Sequence, residues 1–370
     1  MRIENLNITD TYLSLVRAAL WGGETLWPVE ETEQLLRLHC KQGTATLVFP
    51  HVLSQEDIPP QARTQMKGIC LQNMQQQVHL QHILSVSWKA LEKAGIQAVL
   101  MKGAGLAALY PELQQRAWGD IDLFVGQEQY HQSCAVMRET FPEALKFDEE
   151  LDHYKHYNLI ADGVSIEIHR VTINMQHPID ARRYARMEKE GMNKGERISV
   201  AGLEVIVPDP TFNAMFVMMH SWEHMTTNGA NIRQICDVAL LLHHYAGQID
   251  RQQLKRNLNA LHFMDVWQLF MWICVHGLGL PREKAPFYTE QCKDRAERLM
   301  EDLLTGRMMA PKSSTTTSKV RIIRKFHTMQ ERMKNARRIR LYSPSYARHM
   351  VMEILLHGAT RFFAKDRHWE

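Results

Sequence analysis

The hydrophobic period of this chain changes twice, and those two changes constrain the fold more than any other feature. Between residues 8 and 95, apolar residues recur at three-and-four spacing in "TYLSLVRAAL", "ETEQLLRLHC" and the long stretch 62–93, which has no internal proline. That spacing lines one side of a helix. "LSQEDIPPQAR" is the loop ahead of the long helix, and its paired prolines stop what precedes it. Near residue 96 the period shortens. "IQAVLMKG", an apolar run ending in glycine, predicts a buried strand, and "AGLAALYP" a short helix closed by proline. "GDIDLFV" predicts a strand and "QEQYHQSCAVMRETF" a helix. "HYNLIADGVSIEIHRV" is two runs joined by Asp162-Gly163, a pair favoured in tight hairpins, and "RISVAGLEVIVP" predicts a second hairpin turning at Ala201-Gly202.

Helical periodicity returns at Asp209, an N-cap residue followed by proline at the first helical position. It continues through "IRQICDVALLLHHY", "RQQLKRNLNAL" and "MDVWQLFMWICVH". The expectation is an α+β chain in which a small sheet is flanked by N-terminal and C-terminal helical regions. The expected boundaries are 1–94 (helical), 95–208 (sheet core), 209–310 (helical) and 311–370, a linker "PKSSTTTSK" with a basic segment and a final helix.

With 45% hydrophobic residues among 370, a sizeable core is available. The formal net charge of +3 hides an asymmetry: residues 312–370 carry 14 Lys/Arg against 4 Asp/Glu. Such a segment suits a phosphate-rich or membrane-surface partner, or simply a solvated helix face. No 18-residue apolar run is present, so no transmembrane helix is expected. "MRIENLNITD" lacks the basic-then-apolar order of a signal peptide. Six cysteines are scattered without a C-x-x-C pair, which predicts reduced thiols in a cytoplasmic protein. The Met-rich runs "MFVMMH" and "MMAP" read as adaptable core or linker.

Chemistry enters at "RAWGDIDLFV". On a strand, residues two apart share a face, so Asp120 and Asp122 point the same way, while Ile121, Leu123 and Val125 point to the core. Two adjacent carboxylates repel unless a cation neutralises them, and oxygen ligands so placed suit magnesium or manganese. Two solvated acids on an open strand face are the plainer alternative. In "VSIEIHR", Ser165, Glu167 and His169 form one face and Val164, Ile166 and Ile168 the other. Beside the first strand, Glu167 becomes a third carboxylate. In "LMKGAGLAALY", a glycine between strand and helix lets backbone approach a phosphate, and Lys102 adds a point charge. Neither the P-loop nor the dinucleotide fingerprint occurs.

Taken together, "LMKGAGLAALYPELQQRAWGDIDLFV" followed by "SIEIHR" resembles the uncharacterised nucleotidyltransferase family of bacteria, part of the polymerase-beta-like superfamily. The same pattern continues with spaced histidines, His220 and His224 in "HSWEH", and with Arg233 and Asp237 in "NIRQICDVALLL". The resemblance implies a small mixed sheet on which Asp120, Asp122 and Glu167 hold Mg2+ (or Mn2+). It implies transfer of a nucleoside monophosphate from a nucleoside triphosphate to an acceptor hydroxyl, with Glu167 as candidate base. It places Lys102, Gly103 and Arg116 near the phosphates, and His169 on the nucleotide side supporting Glu167 or the acceptor. His220, His224, Arg233 and Asp237 fall on the substrate side. The acceptor class stays open among a small molecule, a protein and RNA. The chain departs from the wider superfamily at Gly103-Ala104, where Gly-Ser or Gly-Gly is usual, and in a longer interval to Asp120.

Two other readings stand beside this one. A catalytically inactive nucleotidyltransferase fold would serve as a nucleic-acid-binding or antitoxin-like module through its basic C-terminal segment. "HSWEH" also fits the H-x-x-E-H zinc-hydrolase signature, although no third ligand stands out downstream.

Overall fold

A computed structural model describes residues 2–147, 153, 155–175, 177–227, 229–307 and 321–363. Among these are 14 α-helices, a five-stranded sheet and a two-stranded sheet. The linker "PKSSTTTSK" (311–319) and the run "MMAP" (308–311) lie outside the described residues. Four helices come first: α1 (Arg2–Trp21), α2 (Thr32–Lys41), α3 (Ala45–Val52) and α4 (Pro60–Lys93). The main sheet follows, from β1 (Val99–Met101), β2 (Asp120–Phe124), β3 (Leu145–Lys146), β4 (His156–Ala161) and β5 (Val164–His169). Helices α5 (Gly103–Ala107) and α6 (Gly126–Thr140) flank β2 in sequence.

The strand order is β1-β2-β5-β4-β3, with β2 and β5 parallel and every other pair antiparallel. The β4–β5 hairpin turns at Asp162 (φ 49°) and Gly163 (φ 78°), two successive left-handed residues, which is the geometry that matches strand twist. The small sheet, β6 (Glu196–Val200) and β7 (Leu203–Val207), turns the same way at Ala201 and Gly202.

Alternation along the strands divides the sheet into a dry face and a polar face. Ile121, Leu123, Ile166 and Ile168 are buried with Leu80, Leu84, Trp88 and Leu91 of α4 and Tyr130 and Met137 of α6. Because β2 and β5 pair in register, the opposite face brings Asp120 beside Ser165, Asp122 beside Glu167 and Phe124 beside His169. Beyond that face stands a helical body: α8 (Pro210–Thr227), α9 (Ile232–His244), α10 (Arg251–Ala260), α11 (Met264–Trp272) and α12 (Lys293–Thr305). Its core also holds Tyr12, Leu15 and Val16 of α1, and Leu47, Val48 and Phe49 of α3. Arg17 Nε donates to Gly277 O at 2.9 Å, and Gln42 Nε2 to Leu303 O at 3.0 Å, so the first helices are tied to the last part of this body.

Helix α4 bridges the two cores, with Ala62 and Met66 in the helical body and Leu80 to Leu91 under the sheet. Its polar residues pin the loop ahead of β2: Asn73 Nδ2 donates to Gln114 O (2.7 Å) and Gln77 Nε2 to Trp118 O (3.2 Å). Helix α8 begins as its sequence predicts, with Asp209 Oδ2 accepting from the Phe212 N–H at 3.0 Å. Met215, Met218 and Met219 are buried, so the "MFVMMH" run is core. Helices α7 (Pro178–Asn193) and α12, and the short β3, are additions that the sequence reading lacked. The chain closes with α13 (Arg321–Ile339) and α14 (Pro344–Phe363). No described helix is long and apolar enough to cross a membrane, and the six cysteines are free thiols.

Candidate active site

The turn between β1 and α5 sets up the site. Lys102 has φ 45° and ψ −133°, a region that a residue with a Cβ occupies only when its surroundings impose it. The strained turn is anchored from both ends. Lys102 O accepts from Leu106 N–H at 2.9 Å, and Lys102 Nζ reaches Asp122 Oδ1 at 2.8 Å. The next residue is crowded: a Cβ on Gly103 would lie 3.3 Å from Asp120 O and 3.8 Å from the Trp118 ring. Helix α5 is a single turn of five residues, so its dipole is weak. Charge at this point comes from Lys102.

On the polar sheet face, Asp122 is 2% exposed. Its Oδ1 accepts from Lys102 and lies 2.9 Å from His169 Nε2, which is also 3.0 Å from Glu167 Oε2. Burial opposes the charge on Asp122, but Lys102 and His169 outweigh it and hold its pKa far below the usual carboxylate range. Glu167 is lowered too: burial is overcome mainly by the His169 hydrogen bond. Burial likewise works against Lys102 and His169 as cations, yet the neighbouring carboxylates raise both. Asp120 moves the other way. The Asp122 charge, then burial, push its pKa up despite Lys102. The face therefore has a surplus of negative charge centred on Asp120.

Across the cleft, Arg116 and Asp237 form a buried two-point ion pair, Nε–Oδ1 at 2.6 Å and Nη2–Oδ2 at 2.7 Å. Arg116 Nη1 donates to Gly103 O at 3.0 Å, which fastens the β1–α5 turn to helix α9. Tyr110 OH donates to Asp237 Oδ1 at 2.8 Å. Arg233 sits beside this pair and donates from Nη1 to Ala117 O. Burial, then the Arg116 charge, lower its pKa. Its buried Nε has no protein partner among the described residues. His220 and His224 lie one turn apart on α8, their Nε2 atoms 3.0 Å from each other, so one ring donates to the other. Burial, then Lys102, keep both below their ordinary pKa and neutral.

These groups surround a cavity of about 430 Å³, within the ordinary range for small-molecule sites. Lys102, Gly103, Arg116, Asp120, Asp122, His220, His224, Arg233 and Asp237 all line it. Glu167 and His169 stand beside it on β5. Tyr110, Gln42, Trp118 and Asn231 were missed by sequence reasoning, and no motif marks them. Trp118, Gln42 and Asn231 line the cavity, whereas Tyr110 acts behind it, on Asp237.

The chemistry of the donors can be read from this geometry. Asp120, Asp122 and Glu167 offer hard oxygen atoms on one sheet face, and a divalent cation would relieve the charge surplus at Asp120. His156, Glu167 and His169 also hold ligand atoms within 4.8 Å of one another. His220 and His224 have no third His, Cys or carboxylate in a metal-sized group among the described residues. The zinc-hydrolase geometry is therefore not assembled there.

A model of the family described as uncharacterised nucleotidyltransferase matches residues 28–279. No functionally curated protein matches the chain. Among solved structures, the chain is similar to an antigenic nucleotidyltransferase-like protein from Paracoccidioides brasiliensis. The identity is 17%, the match covers 48% of this chain and 84% of that one, and the TM-score is 0.30.

Proposed function

The chain belongs to the uncharacterised nucleotidyltransferase family, and on that premise we propose that it transfers a nucleoside monophosphate from a nucleoside triphosphate to an acceptor hydroxyl. The observation that carries this reading is the parallel register of β2 and β5. It sets Asp122 against Glu167 and puts three carboxylates on one face beside Lys102. Asp120, Asp122 and Glu167 would hold Mg2+ or Mn2+. When bound, the cation supplies charge neutralisation and orientation for the triphosphate.

The chain's own groups do the rest. Lys102 faces the phosphates from a turn that Arg116 fixes through Gly103 O. Arg233 offers its buried Nε–H to the same charge. Glu167 is held deprotonated by His169 and takes the proton of the acceptor hydroxyl. The acceptor oxygen bonds to the α-phosphorus as the bond to the bridging oxygen breaks, and pyrophosphate leaves. His220 and His224, neutral and apolar-backed, shape the acceptor side. The walls of the cavity position the reactants and supply charge where it is needed, which is most of what phosphoryl-type transfer asks of a protein.

The test is titration calorimetry of nucleoside triphosphates with and without magnesium. Asp120→Asn/Asp122→Asn should abolish magnesium-dependent binding while circular dichroism is unchanged. Asparagine is chosen because Asp122 also satisfies Lys102 and His169. Unchanged binding in that double variant would remove the site from consideration.

A further inference from the structure

A second group of metal-binding side chains lies on other elements, where three pieces of chain remote in sequence meet. Asp180 is in the first turn of α7, His262 joins α10 to α11, and His349 is on α14. Their ligand atoms lie within 4.8 Å of one another. His349 Nε2 is 2.9 Å from Asp180 Oδ2, and the His262 and His349 rings stack with centroids 4.0 Å apart. His177 Nδ1 is 3.6 Å from the same Asp180 oxygen. Arg183 binds the other oxygen, Oδ1, at 3.2 Å, which leaves Oδ2 turned toward the imidazoles.

A plain hydrogen-bonded tie between helices explains Asp180 and His349. It does not explain His262. Helix α10 ends with Phe263 N–H donating to Leu258 O (2.8 Å) and His262 N–H to Asn259 O (3.2 Å). That is the capping motif whose left-handed position is the usual place for glycine. Here the position is His262, with φ 62°. Histidine tolerates that conformation better than most residues, and here it places an exposed imidazole stacked on a second imidazole beside a buried carboxylate. Two imidazoles and one carboxylate with a further histidine adjacent are the donor set of a zinc-class cation.

We propose that Asp180, His262 and His349 bind a divalent transition-metal cation of the zinc class, which clamps α14 to the start of α7 and to the α10–α11 junction. His177 or water completes the coordination. The bond closes a long span of chain onto the helical body and holds α14 in place, independently of any nucleotide chemistry in the carboxylate cleft.

The experiment uses full-length, untagged, metal-stripped protein titrated with Co2+ and, separately, Zn2+. In wild type an intense tetrahedral visible band should saturate at one equivalent of Co2+, distinct from any weakly coloured Co2+ on the carboxylate face, and Zn2+ should raise its Tm. Both signals should persist in His156→Ala, which disables the His/Glu group beside the cleft, and in His220→Ala. They should disappear in His262→Asn/His349→Gln with the far-UV spectrum unchanged. Asparagine tolerates the left-handed backbone, and glutamine retains a hydrogen bond to Asp180. His262→Asn alone, at an exposed position, should weaken Co2+ binding by more than the ~10–100-fold typical of losing an outer partner. A band that survives the double variant, one lost only in His156→Ala, or no band in wild type overturns the proposal.

Discussion

The Arg116–Asp237 pair should be the most sensitive point of the fold around the cleft. Consider Asp237→Asn. Both partners are nearly inaccessible, at 6% and 3% exposure, and Asp237 also accepts from Tyr110. Asparagine keeps one acceptor oxygen, but it turns an amide donor toward a guanidinium donor and leaves Arg116 charged and buried without a counter-ion. Breaking one side of such a pair costs about 3–5 kcal/mol, because the partner's desolvation is no longer offset. For a chain of this length that corresponds to a Tm drop of roughly 4–6 °C. The loss should be largely reversed when the charge is removed as well. Arg116→Met/Asp237→Leu with Tyr110→Phe should recover most of the lost stability, since well-packed apolar residues commonly replace buried pairs at little cost. The same triple variant no longer holds Gly103 O, so nucleotide binding should stay weak even as Tm returns. Scanning calorimetry and urea melts measure the first effect, and calorimetric titration the second. A Tm drop under about 2 °C for Asp237→Asn, or a triple variant no more stable than the single one, would refute the argument from uncompensated buried charge.

Three further outcomes follow from local geometry. Gly103→Ala should lower the urea stability by about 1–3 kcal/mol, as overpacking does, because its Cβ would crowd the Asp120 carbonyl oxygen at 3.3 Å, on a strand held between β1 and β5; a wild-type urea midpoint would show that the turn relaxes. His39, buried against Tyr12 and Thr44, is pushed by burial from 6.5 down to about 3. The unfolded chain then takes up its proton first, so stability falls as pH drops below about 6.5, by about 2 kcal/mol at pH 5, and His39→Gln should flatten that limb of a stability–pH curve. Glu188 is raised by burial from 4.5 to about 7, although Thr172 hydrogen bonds favour its anion. Here the folded state keeps the proton, so stability falls as pH rises from about 4.5 to 7, by at most about 3 kcal/mol; Glu188→Gln should remove that decline, and an unchanged slope would argue against it.

Local chemistry was legible in the sequence, and its limits are physical. Period-two alternation depends only on the pleat, so the shared face of Asp120 and Asp122, and that of Glu167 and His169, could be read from neighbours two residues away. Successive left-handed residues at Asp162-Gly163 and the Asp209–Pro210 helix start are equally local, and both occur as read. Helix α7 does not stand out in the sequence because its buried face is Asp180, Tyr184, Glu188, Gly191 and Met192, so polar residues and a glycine occupy positions that apolar residues usually mark.

What only the tertiary structure decided is which local faces meet. Nothing in β2 or β5 says that they pair in parallel, with Asp122 against Glu167, rather than through another register. Lys102 was assigned to phosphate from its position after a strand, but its salt bridge to Asp122 depends on β1 lying antiparallel beside β2. Arg116 and Asp237 are 121 residues apart, and Asp180 and His349 are 169 apart. Contacts at such separations leave no periodic trace in the chain, because they arise when the apolar faces of α4, α8 and the sheet are buried together and carry their polar residues with them.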